Sequence, residues 1–77
     1  MTWKEVVKDP TEIKVFMALD APKYTWRTVG GIARQTGLSE SELWKILAKY
    51  STNLIRMSET PSTSGDPLIG LIERVDS

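Results

Sequence analysis

Apolar residues recur along this chain at helical spacing in three places and at strand spacing in its last third, with polar or turn-forming residues between. In "DPTEIKVFMALDAP" (9–22), Asp9 suits a helix cap and Pro10 the first helical position. Glu12 stands where a reciprocal capping bond can form. Ile13, Phe16 and Met17, with Leu19 beside them, predict the inward face. Lys14 and Ala18 then point outward, and Pro22 ends the helix. A shorter helical piece is predicted ahead of it in "TWKEVVK", with Thr2 and Glu5 spaced as a capping box and Trp3, Val6 and Val7 on one side.

"KYTWRT" predicts a short strand, because Tyr24, Thr25, Trp26 and Thr28 favour extended backbone, with Trp26 turned inward. Thr28 then caps a helix, "VGGIARQT", and Gly37 supplies the left-handed residue after it. Ser39 and Glu42 form a capping box for the next helix, whose buried stripe is Leu43, Ile46, Leu47 and Tyr50 and which Asn53 closes. "LIRMS" and "PLIGLIERV" read as the strands of a hairpin joined by the polar run "ETPSTSGD". The expected class is α+β: mainly helix, with a small antiparallel β-hairpin. Residues 1–8 read as an N-terminal extension and 9–77 as one domain, in keeping with a 77-residue chain.

The order helix, short strand, helix, turn, helix, strand, polar loop, strand resembles the winged helix-turn-helix superfamily over residues 9 to about 75. The spacing Ala33, Gly37, Leu43 carries the resemblance most specifically, with Ile32, Leu38, Ile46 and Leu47 around it. Alanine lets two helices cross closely, glycine makes the turn, and leucine pins the second helix on the first. The resemblance implies three helices plus a wing, with 39–50 as recognition helix and "ETPSTSGD" as the wing. Most members of the superfamily bind nucleic acid, as transcriptional regulators do, and others are protein-protein adaptors, so the resemblance puts a DNA-binding module first and a protein-docking module second, to be checked against the site.

At 100° per residue, the recognition helix turns Ser41, Trp44, Lys45 and Ala48 away from the core, with Lys49 and Glu40 at the edges of that face. Read as an interface with double-stranded DNA, Lys45, Ser41 and Trp44 meet base edges, and Lys49, Arg34 and Arg27 meet phosphates. The Thr28 hydroxyl and the bare amides of Gly30 and Gly31 then greet a phosphate at a helix N-terminus. The same two glycines also have a packing explanation, a close neighbouring element. Read as a protein-binding surface, Trp44 and Ala48 form the centre of a docking patch ringed by Glu40, Ser41 and Lys45, since tryptophan is enriched at interface centres.

Charge changes the balance. Ten basic and ten acidic residues cancel, whereas DNA-binding domains draw affinity from a basic excess. Between residues 57 and 72 there is no lysine or arginine, and Glu59 and Asp66 are acidic. An isolated copy is therefore expected to hold DNA weakly, with a homodimer or a larger parent chain supplying avidity. The chain lacks cysteine and histidine, which removes thiolate chemistry, the usual general base and the usual zinc ligands. No enzyme, metal or cofactor is expected. No apolar run approaches the roughly 20 residues of a membrane span, and "MTWKEVVKDP" lacks a signal-peptide core, so the expected location is cytoplasmic with no membrane partner.

Overall fold

The computed structural model describes residues 3–21, 25–51 and 53–75. Thr2 of the expected capping box, Pro22 and Tyr24 lie outside them. The elements run α1 (Trp3–Val6), α2 (Pro10–Leu19), β1 (Arg27–Thr28), α3 (Val29–Thr36), α4 (Glu40–Tyr50), β2 (Ile55–Met57), β3 (Leu68–Leu71) and α5 (Ile72–Val75). The fold is α+β, with helices packed on a three-stranded antiparallel sheet of order β1-β3-β2. The expected hairpin is thus widened by β1, which pairs Arg27 with Ile69 and Thr28 with Leu68.

Helix starts are made locally. The Asp9 carboxylate accepts from the N–H of Thr11 (2.9 Å) and of Glu12 (3.2 Å), Thr28 Oγ1 from Gly31 (3.0 Å), and Ser39 Oγ from Glu42 (3.2 Å). These side chains satisfy amides that have no partner inside the helix. Gly37 takes φ +77° and ends α3. Asn53 does not play that part for α4, because every described residue with positive φ is a glycine. That helix closes instead through Ser51 in helical conformation and the N–H groups of Asn53 and Leu54, which donate to the Tyr50 carbonyl.

Helix α2 is rotated relative to its expected face. Glu12, Val15, Phe16, Ala18 and Leu19 are buried, whereas Met17 is 63% exposed and Ile13 only partly covered. The rotation follows from tertiary contacts that spacing alone does not contain. Glu12 is drawn inward to Tyr50, and the small Ala18 is fully covered. Two distant arginines complete the C-terminal end of α2: Arg74 Nη1 donates to the carbonyls of Leu19 (3.2 Å) and Ala21 (2.7 Å), and Arg27 Nη1 to that of Ala18 (3.1 Å). Cations suit the negative end of a helix dipole.

In α1, Trp3 and Val7 face the core while Val6 is exposed, so the expected apolar side is only partly inward. Trp3 stacks at a tilt on Phe16 (5.5 Å between ring centres), and Phe16 meets Tyr50 edge-on (5.2 Å, 89°). The last strand is shorter than expected. Past Leu71 the chain turns into α5, because β2 has run out: the Ile72 N–H donates to Leu54 O at its end. Gly70 is required beneath this turn, since a Cβ there would lie 2.7 Å from the Thr25 carbonyl and 2.8 Å from Val75. Trp26, half-buried, closes the same spot from the other side.

Candidate recognition surface

Helix α4 presents the residues on which both functional readings rest. Its buried stripe is Leu43, Ile46, Leu47 and Tyr50, as its spacing predicts, and Glu40, Ser41, Lys45, Ala48 and Lys49 are exposed. The position of Trp44 on the helix allows it either to stand clear or to lie half-covered along the flank, and it does the second: it is half-buried, leaning on the core along the flank that faces the hairpin.

That flank holds an apolar groove of about 240 Å³ lined by Trp44, Leu47, Ala48, Ser51, Ile55, Met57 and Ile69, none of which carries a charge. Its helix side is a stripe at spacing 44, 47, 48, 51, and its sheet side comes from β2 and β3. Met57, 52% exposed, forms the rim. In the sequence this wall is marked by the period-two pair Ile55 and Met57, which share one side of β2.

Several expected phosphate contacts are already engaged within the fold. Besides Ala18, the Arg27 Nη1 donates to Gln35 Oε1 (2.9 Å), so its guanidinium ties β1 to α2 and α3. Lys49 Nζ lies 2.9 Å from Glu12 Oε2, and Tyr50 Oη donates to Glu12 Oε1 at 2.5 Å. Glu12 is 8% exposed, a carboxylate held between α2 and α4 rather than the capping partner its position suggests. The hydrogen bond to Glu12, then its charge, holds the Lys49 ammonium above its ordinary value. The same carboxylate, followed by burial, raises the Tyr50 hydroxyl. The Thr28 hydroxyl is occupied as the α3 cap.

Arg34, Ser41 and Lys45 remain on the exposed surface. Arg34 and Glu40 share a shallow depression with Gly30 and Leu38 at the α3–α4 turn. The packing explanation fails for Gly30, whose added Cβ would meet nothing within 4 Å; at Gly31 it would meet only the Thr28 hydroxyl, at 2.9 Å, and the end of Arg27. In the hairpin loop, Ser64 Oγ donates to Asp66 Oδ2 (3.0 Å) and the Asp66 N–H to Ser62 Oγ (3.1 Å), so these hydroxyls bond within the loop itself.

Among the described residues no group of three or more acidic, histidine or cysteine side chains could hold a metal, and no helix is long and apolar enough to cross a membrane. No family model matches the chain, and neither a curated protein nor a solved structure matches it.

Proposed function

We propose that the chain is a winged helix-turn-helix module, non-catalytic and cytoplasmic, that docks a segment of a partner protein in the groove beside α4. Support for the frame comes from α2, β1, α3, α4, β2 and β3 in that order, the sheet order β1-β3-β2, and the left-handed Gly37 between α3 and α4. Helices α1 and α5 are single turns appended to that frame.

One observation carries the docking reading: the groove of Trp44, Ala48 and Met57 is open, apolar and uncharged, while the cations that would hold a phosphate backbone at Arg27 and Lys49 are tied to groups of the fold. Binding sites gain most from a few large apolar anchors in such a pocket. Selection from a random peptide library tests it. The expected peptides carry an apolar or aromatic anchor, and they bind the wild type and Arg34→Ala but not Trp44→Ala. Selection without such an anchor, or binding indifferent to Trp44, overturns the reading.

Gly30 favours a second reading. Its bareness is unexplained by packing and lies beside exposed Arg34, an arrangement suited to a DNA phosphate, with Lys45 and Ser41 turned to base edges. An amide chemical-shift titration with short mixed-sequence duplex DNA separates the two. Shifts over 28–34 and 39–49 that fade with salt belong to DNA recognition, as in a transcriptional regulator. Their absence at low salt belongs to protein docking.

A further inference from the structure

We propose that the partner segment is an extended chain that adds a strand to the free edge of β2, where the groove beside α4 meets the sheet. This rests on the docking reading and names the conformation of what docks. Among the described residues, the sheet order β1-β3-β2 gives β2 a neighbouring strand on one side only. The register fixes which backbone groups face that neighbour. The Leu54 carbonyl accepts from the Ile72 N–H (2.9 Å), and the Ser58 N–H donates to the Leu68 carbonyl (2.8 Å). Backbone groups alternate in direction along a strand, so with Arg56 opposite Gly70 those of Leu54, Arg56 and Ser58 turn to β3. Those of Ile55 and Met57 turn to the free edge. Ile55 is buried and Met57 exposed, which makes Met57 the open position of that edge.

Hydrogen-bonding capacity selects the occupant. The Met57 N–H and C=O are a donor and an acceptor that an extended backbone matches directly. A helix satisfies its backbone groups internally and brings only side chains to such an edge. A nucleic acid is anionic, and the residues that line the groove include no cation to meet it. The side chains agree with a strand as well. Residues directly opposite each other in a pair share one face of the sheet, and Met57 lines the groove together with Ile55 and Ile69. The partner residue set against Met57 therefore turns its side chain toward Trp44 and Ala48, and its two neighbours turn theirs to the opposite face. A groove of about 240 Å³ suits that single anchor better than the row of anchors a helix brings.

A library-selected peptide that needs Trp44, resynthesised with one backbone N-methyl group at each position in turn, tests this without altering the protein. Affinity is expected to fall at least ~10-fold when the methyl replaces the N–H that faces the Met57 carbonyl. It is expected to persist when the methyl stands on either sequence neighbour, whose N–H points away. In the isotope-labelled complex, the Met57 amide is expected to show a scalar coupling across a hydrogen bond to a peptide carbonyl. A bound peptide that is helical, affinity that tolerates N-methylation at every position, or a Met57 amide without that coupling overturns the added strand and leaves docking in the groove standing. Failure to select any peptide that needs Trp44 overturns both.

Discussion

The two flanks of α4 solve opposite problems. Toward α2, Tyr50 and Lys49 close on the buried Glu12, and the Tyr50 ring is braced edge-on by Phe16. Toward the hairpin, Trp44, Ala48 and Met57 surround an uncharged space that is open. The closed flank spends its charges internally. A buried carboxylate must have partners, and finding them commits the lysine that would otherwise reach outward. On the open flank the Ser51 hydroxyl already donates to the Ala48 carbonyl (3.1 Å), and the space is free to receive an apolar side chain. Within one helix, the polar flank builds the fold and the apolar flank is left open.

Breaking the closed flank should cost most. Phe16→Ala removes the ring between Trp3 and Tyr50 and is expected to lower stability by about 3–5 kcal/mol in denaturant unfolding. Tyr50→Phe, which takes one donor from Glu12, is expected to cost about 2 kcal/mol. Its sign with pH is set by the raised values of Tyr50 and Lys49. Their contribution is complete below their ordinary values of 10.0 and 10.5 and is lost as pH rises through the raised ones. Alkaline melts should therefore fall less steeply above pH 10 for Tyr50→Phe than for the wild type.

On the open flank, Trp44→Ala is expected to cost only about 1–2 kcal/mol of stability, because the ring is half-covered, while abolishing peptide binding. A stability loss as large as that of Phe16→Ala would erase the distinction between the flanks. Gly30→Ala should stabilise by up to about 1 kcal/mol, since its Cβ meets open space in a helix. If it also weakens duplex binding, the α3 end rather than the groove is the recognition site. Lys45→Glu is the smallest change: within about 0.5 kcal/mol in stability, it should leave peptide binding in the groove intact and disturb only DNA contacts.

Legibility in the sequence divided along the range of the interactions. Asp9, Thr28, Ser39 and Gly37 act on backbone within four residues of themselves, and each does what its position predicts. The α4 stripe was equally readable, because one helix face meets one core. Met17 and Ala18 exchanged places because α2 answers to Glu12, whose partner Tyr50 lies 38 residues on. Arg27 read as a phosphate ligand, yet it holds the α2 end nine residues back and Gln35 eight residues on. Residues 72–75 carried strand-forming side chains, but a strand needs a neighbour, and β2 ends before them.

The sequence by itself therefore determined α2, α3 and α4, their caps at Asp9, Thr28 and Ser39, the turn at Gly37 and the absence of histidine and cysteine, since these depend on neighbouring residues or on composition alone. Only the tertiary structure decided which cations are engaged within the fold, which side of α2 faces inward, and that Trp44 walls a groove. Those outcomes depend on groups far apart in the chain meeting where burial forces polar atoms to find partners and leaves apolar ones without them.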